Sequence, residues 1–120
     1  MAHSIAVIGA SNDQSKYGNR ALKAWLETPW TVYAVNPNED EVEGMTAYDS
    51  VRDIPDQVHT ATLYIPPKIG LGVADELIEK GVSAVYLNPG SGSDELRRKL
   101  QDAGIEVMEA CSIIASRSYR

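Results

Sequence analysis

The chain has 120 residues, of which 43% are hydrophobic and 23% charged, and its formal net charge is −6. Its length suits one domain, and its 11 lysines and arginines form no long basic run, which disfavours nucleic acid or an anionic membrane surface as the main partner. A small anionic ligand is still compatible with this net charge, because the backbone amides at a helix N-terminus bind phosphate without a basic surface.

Apolar runs of strand length alternate with segments of helical period along the chain. The predicted strands cover residues 4–8, 31–35, 60–65, 83–87 and 105–108. Helices are predicted over 18–28, between Pro67 and Gly81, from Ser93 to Gly104, briefly at 50–52 and near the end of the chain. In the second of these, Ile69, Val73, Leu77 and Ile78 are predicted to face the core. The polar, turn-rich segment 38–57 is otherwise expected to be loop.

This order of elements predicts an α/β, Rossmann-like fold, formed by residues 1–120 as a single domain. We expect a doubly wound, five-stranded parallel sheet with strand order 3-2-1-4-5, whose order reverses between the first and fourth strands. Ligands of such sheets bind outside the carboxyl ends of the strands, at the point of reversal. The loops that begin at Gly9, Asn36, Pro66 and Asn88 are predicted to meet there.

The loop after the first strand has the features of a phosphate site. Gly9 leaves the backbone open to close approach, Ser11 adds a hydroxyl, and Lys16 can supply a positive charge. The helix that starts at Tyr17-Gly18 presents free amides and the positive end of its dipole. The alternative is that Gly9 and Gly18 only shape a tight turn between strand and helix.

This loop lacks the dinucleotide fingerprint G-x-G-x-x-G, because Ser11 and Gln14 stand where two of the glycines would be. A nicotinamide site also needs an acidic residue after the second strand, and Asn36 occupies that position. NAD binding is therefore disfavoured, and the loop does not match a P-loop either.

Several motifs, in the right order, resemble a known family over essentially the whole chain. They are Val7-Ile8-Gly9-Ala10-Ser11, Tyr17-Gly18, Val35-Asn36-Pro37, Ile65-Pro66-Pro67 and Gly81-Val82-Ser83-Ala84-Val85. The chain resembles the small stand-alone CoA-binding proteins, which are similar to the N-terminal domain of the succinyl-CoA synthetase alpha subunit and of ADP-forming acyl-CoA synthetases.

The resemblance implies that the ligand is coenzyme A or an acyl-CoA, with its phosphates on the loop from Gly9 to Gly18. The implied binding residues are Gly9, Ala10, Ser11, Asn12, Lys16, Tyr17, Gly18, Asn36, Pro37, Ile65, Pro66, Pro67, Asn88 and Gly90. Family members often carry Lys just after the Asn-Pro pair, where this chain has Asn38 and then the acidic run Glu39-Asp40-Glu41. That run would repel the 3′-phosphate of CoA if it faces the site.

No catalytic or metal-binding residues are predicted. His3 and His59 lie away from the predicted carboxyl ends of strands, and Ser91 lacks the context of a nucleophile. The resemblance implies that catalysis by ligases of this type needs a phosphorylatable histidine in a further domain. We therefore expect a CoA-binding protein without its own reaction, with an acyl-CoA enzyme or a second copy as a possible partner.

Two alternatives stay open: an enzyme or enzyme subunit that uses NAD(P) or another nucleotide, and a protein-interaction domain with a vestigial site. Cys111, the single cysteine, is expected to be a small buried hydrophobic residue, and the alternative is a thiol that forms a mixed disulfide with CoA. The sequence shows neither a signal-peptide pattern nor a membrane-spanning stretch, so it predicts a cytoplasmic protein.

Overall fold

All five predicted apolar runs form strands in the computed structural model, which describes residues 3–120. Its strands are β1 (Ser4–Ile8), β2 (Thr31–Val35), β3 (Glu41–Val42), β4 (Met45–Tyr48), β5 (Thr60–Leu63), β6 (Ala84–Leu87) and β7 (Glu106–Met108). Its helices are α1 (Tyr17–Leu26), α2 (Pro67–Lys80), α3 (Asp94–Asp102) and α4 (Ser112–Ser116), with 3-10 turns at Val51–Asp53 and Arg117–Tyr119. The Rossmann-like, doubly wound α/β class is confirmed.

The predicted strand count and order are wrong. Within residues 3–120 the sheet has seven strands in the order β3-β4-β2-β1-β5-β6-β7, and all neighbours are parallel except the antiparallel pair β3–β4. The hairpin β3–β4 lies in the segment expected to be loop, and β4 extends the sheet beyond β2. The order therefore reverses between β1 and β5, so the crevice lies between these two strands and not between β1 and β6 as predicted.

Two apolar layers cover the two faces of the sheet. The alternation of side chains along β1 sends Ala6 and Ile8 into one layer and Ile5 and Val7 into the other. The first layer includes Leu77 of α2 with Leu96 and Leu100 of α3, and the second includes Leu22 and Trp25 of α1. No helix within residues 3–120 has both the length and the apolar character needed to cross a membrane.

The predicted inner face of α2 is partly wrong. Ile69 is 56% exposed and Ile78 is 36% exposed, whereas Gly70, Ala74 and Leu77 are buried. A Cβ atom on Gly70 would lie 2.9 Å from a methyl group of Leu96, so α2 approaches α3 through its small residues. The larger Ile69 is left at the carboxyl edge of the sheet.

Candidate ligand-binding groove

The parallel register aligns the carboxyl ends of four central strands. Ile8 pairs with Val35 on one side and Leu63 on the other, and Leu63 pairs with Leu87. The chain leaves all four strands at the same edge of the sheet, as the order of elements predicts.

Three adjoining cavities form a groove along this edge. The segment 9–16 between β1 and α1 is called the Gly9 loop. The wide cavity, of 630 Å³, lies between this loop, the end of β2 and the N-terminal part of α2. The middle cavity, of 430 Å³, shares Gly9, Lys16 and Pro66 with the wide one. The far cavity, of 340 Å³, lies beside the loop after β6 and shares Pro89 and Gly90 with the middle one.

The structure brings nearly all of the predicted binding residues to this groove. Those that line one or more of the cavities are Gly9, Ser11, Lys16, Tyr17, Gly18, Asn36, Pro37, Ile65, Pro66, Pro67, Asn88 and Gly90. Ala10 and Asn12 line none of the three. Ala10 is fully buried, and the Asn12 side chain turns to the β3–β4 hairpin, where its Nδ2 donates to Glu41 O (2.9 Å).

Gly9 and Gly18 are required by the turn itself. Gly9 has φ +93°, and a Cβ atom there would lie 2.5 Å from the carbonyl oxygen of Tyr64. A Cβ atom on Gly18 would lie 2.0 Å from the carbonyl oxygen of Gly9. Both contacts are with backbone atoms, so the first turn of α1 packs directly on the loop. The packing of the turn explains both glycines, and their contact with a ligand stays a prediction.

Side-chain hydrogen bonds hold the loop after β1 and leave several of its amides unpaired. Ser11 Oγ accepts from the amide of Asp13 (3.0 Å), and Asp13 Oδ1 accepts from the amide and hydroxyl of Ser15. These bonds from Ser15, with a smaller contribution from the charge of Lys16, lower the pKa of Asp13. The backbone N–H groups of Ala10, Ser11, Tyr17 and Gly18 have no acceptor within residues 3–120.

Asn36 and Asn88 reach the groove but serve the fold through their side chains. Asn36 Nδ2 donates to Ala10 O (2.8 Å), and its Oδ1 accepts from the amide of Asn38 (2.8 Å). Asn88 is buried, and its side-chain Nδ2 donates to Thr62 Oγ1 (2.7 Å) and Leu63 O (2.8 Å). Its Oδ1 accepts from the backbone amide of Ser112 (2.8 Å). Both asparagines tie one groove loop to another segment.

Tyr64, which sequence reasoning missed, lines both the wide and the middle cavities. Its hydroxyl shares a hydrogen bond with Ser112 Oγ (3.0 Å). Burial raises the pKa of Tyr64, while the hydrogen bonds with Ser112 and Thr62 oppose that shift. The hydroxyl therefore stays neutral across the physiological pH range.

Arg52 is the other important residue that sequence reasoning missed. It lines the wide cavity together with Asp49 and Glu76, and its Nη1 donates to Glu79 Oε2 (2.9 Å). Recognising β4 as a strand would have located Arg52. Tyr48, at the end of β4, pairs with Val35, and this pairing brings the residues that follow β4 to the carboxyl edge of the sheet. The acidic run 39–41 lines none of the three cavities, and its effect on a bound 3′-phosphate stays a prediction.

Of the remaining candidates, Ser91 lines the middle cavity, whereas His3, His59 and Cys111 line none of the three cavities. His3 and His59 are exposed, precede β1 and β5, and lie together with ring centroids 4.7 Å apart. Ser91 is buried and donates to Leu63 O (2.9 Å). Cys111 is half-buried at the start of α4 and forms no disulfide. No group of three His, Cys, Asp or Glu residues within 3–120 is arranged to hold a metal ion.

Two curated relatives of this chain are ligases much longer than it is. It is 44% identical over 84 residues to the alpha subunit of the ADP-forming acetate–CoA ligase II of Pyrococcus furiosus, across 69% of this chain and 18% of that protein. It is 33% identical over 103 residues to an ADP-forming acetate–CoA ligase of Methanocaldococcus jannaschii, across 82% of this chain and 15% of that protein. The chain thus spans a small part of each of these two ligases.

Solved structures with the same fold include a short chain and one domain-sized part of a synthetase. A conserved hypothetical protein from Pyrococcus furiosus matches with TM-score 0.86 and 41% identity, over 94% of this chain and 98% of that one. The dinucleotide forming acetyl-coenzyme A synthetase 1 of Candidatus Korarchaeum cryptofilum matches with TM-score 0.80 and 34% identity, over 89% of this chain and 26% of that one. A family model described as CoA binding domain matches residues 3–117. The chain therefore belongs to the family of CoA-binding domains.

Proposed function

We propose that this chain binds coenzyme A or an acyl-CoA in the groove, with the pyrophosphate over the loop from Gly9 to Gly18. The observation that carries the proposal is the set of unpaired amides at Ser11, Tyr17 and Gly18, which line the groove together with Lys16. Amides at a helix N-terminus favour an anion, because their partial positive charges point at the ligand. Family membership supports CoA as that anion.

The three cavities suit the three parts of CoA. The wide cavity has apolar walls from Val51, Ile69 and Val73, which favour a stacked adenine. The middle cavity holds Lys16 and the start of α1, where two phosphates can be bound. The far cavity continues past Gly90 to Gly92, and an extended pantetheine arm would run in that direction. The order along the groove is therefore nucleotide, pyrophosphate and thiol arm.

We propose that the chain holds its ligand without catalysing a reaction. Three polar side chains along the groove are occupied by the protein: Tyr64 pairs with Ser112, Asn88 with Thr62, and Arg97 with both Asp94 and Glu109. Two of the relatives are CoA ligases, which supports a role beside an acyl-CoA enzyme that supplies the reactive groups. An NAD(P)-dependent role would need a carboxylate directly after β2 to bind the ribose of the nucleotide, and Asn36 occupies that position.

Calorimetric titration with CoA, acetyl-CoA, NAD and ATP tests the proposal. We expect CoA and acetyl-CoA to bind and the other two nucleotides to bind much more weakly. Lys16→Gln should weaken CoA binding about tenfold, because it removes one charge-assisted contact to the pyrophosphate. Arg98→Gln is the matched control, since Arg98 is exposed on α3, lines none of the three cavities and should leave the affinity unchanged.

The absence of heat and of thermal stabilisation at millimolar CoA would contradict the proposal. Tighter binding of NAD than of CoA would favour the nucleotide-dependent alternative. A purified chain that binds CoA and also releases an acyl group from acetyl-CoA would show that it acts as an enzyme.

A further inference from the structure

Two positively charged side chains line the wide cavity within residues 3–120, and they occupy different places in the groove. Lys16 lines both the wide and the middle cavities, so it lies near the centre of the groove. Arg52 lines only the wide cavity and lies on the 3-10 turn that follows β4. The groove thus has one positive charge at its centre and one at its β4 end.

Arg52 is anchored through its backbone and keeps donors free. The Ser50 hydroxyl accepts from the amide of Arg52 (3.1 Å), and Val51 beside it is 1% exposed. The guanidinium group uses Nη1 for Glu79, and its side chain is half exposed. A guanidinium group has five N–H donors, so one ion pair leaves a fork that can bind a phosphate.

We infer that Arg52 binds the 3′-phosphate of coenzyme A, an inference that rests on the proposed function. In CoA the 3′-phosphate is on the ribose, on the side of the pyrophosphate away from the thiol arm. With the pyrophosphate near Lys16 and the arm toward Gly90, the ribose phosphate falls at the β4 end of the groove. Arg52 is the positive charge at that end.

The negative charges around this position limit the expected affinity. Asp49 and Glu76 line the same cavity, and Glu79 already pairs with Arg52. The hydroxyl of Ser50 donates to Glu76 Oε1, which occupies part of that carboxylate. Because the guanidinium group is exposed and shared, we expect it to favour CoA over dephospho-CoA by roughly tenfold, at the low end for a charge-assisted bond.

The test compares CoA with dephospho-CoA, which differs only in lacking the 3′-phosphate. Dissociation constants for both are measured by calorimetry for the wild type, Arg52→Gln and the control Arg98→Gln. We expect a ratio of about ten in favour of CoA for the wild type and the control, and a ratio near one for Arg52→Gln. Thermal unfolding without ligand checks that each variant is folded.

The outcomes separate this inference from the proposed function. If the wild type binds both ligands equally well, the inference fails and CoA binding stands. If Arg52→Gln weakens both ligands by the same factor, Arg52 does not recognise the 3′-phosphate, and the inference fails as well. If neither ligand binds the wild type, the proposed function itself fails. A ratio that falls from about ten to one only in Arg52→Gln supports the inference.

Discussion

Two loops at the same edge of the sheet are held in different ways. The loop after β1 is held by backbone contact, since Gly18 lies against the carbonyl of Gly9 and no Cβ atom fits between them. The loop after β6 is held by a buried side chain, Asn88, which bonds to β5 and to the amide of Ser112. In that loop a Cβ atom on Gly90 would meet nothing within 4 Å.

The difference supports the proposal that the loop after β1, and not the loop after β6, binds phosphate. Where backbone packs on backbone, the amides at Ser11 and Gly18 stay free for an anion. Where a side chain holds the loop, its polar atoms are used within the protein. The far cavity beside it is lined by Pro89, Gly90 and Gly92 and by Asp94, Arg97 and Glu109, whose charges pair with one another. Because those charges are paired, we propose this wall for an uncharged ligand segment.

The largest expected effect is that of Gly18→Ala. The added methyl group would lie 2.0 Å from a backbone oxygen, so the helix must shift, and we expect a loss of about 3 kcal/mol or more in the free energy of unfolding. Urea unfolding measures it. The matched control is Gly90→Ala, where only the positive φ of +89° is unfavourable, at a cost of about 1 kcal/mol. Equal losses in both variants would contradict the close packing of α1 on the Gly9 loop.

Asn88→Ala should destabilise the protein by about 2 to 3 kcal/mol, because it leaves the buried amide of Ser112 without its acceptor. Urea unfolding again provides the measurement. Asn38→Ala is the control, since Asn38 is exposed and its substitution should change stability by less than about 0.5 kcal/mol. A loss no larger than that of the control would show that Asn88 does not hold the second loop.

The smallest expected effect is a pH dependence that originates at Tyr64. Burial raises its pKa above that of an unfolded tyrosine, so the neutral hydroxyl contributes stability that is fully present below about pH 10. That contribution is lost as the pH rises through the pKa of the folded state. Stability measured from pH 8 upward should therefore fall less steeply in Tyr64→Phe than in the wild type. Parallel curves for the two proteins would contradict this assignment.

The sequence predicted the central part of the sheet and missed its edge, for a physical reason. The strands β1, β5 and β6 are buried apolar runs, which stand out from the segments around them. The strands β3 and β4 are two and four residues long, and β4 contains no buried residue. Their pattern resembles that of a turn-rich loop, so the sheet was predicted two strands short and its order was misassigned.

The same omission decided which site residues were found. Gly9, Asn36 and Pro66 directly follow strands that the apolar pattern reveals, so their meeting at one edge was predictable. Arg52 follows β4, and without that strand nothing in the sequence places it near the others. Ile69 was assigned to the core because helical periodicity cannot show that α2 packs through Gly70.

The central claim, that CoA lies over the Gly9 loop, is tested most directly by an NMR titration of the backbone amides with CoA. We predict the largest shifts at Ser11, Tyr17, Gly18 and Gly90. The amides of Gly81 and Gly104, which precede β6 and β7 at the opposite edge, should stay unchanged. Shifts confined to that opposite edge, or no shifts at millimolar CoA, would contradict the account.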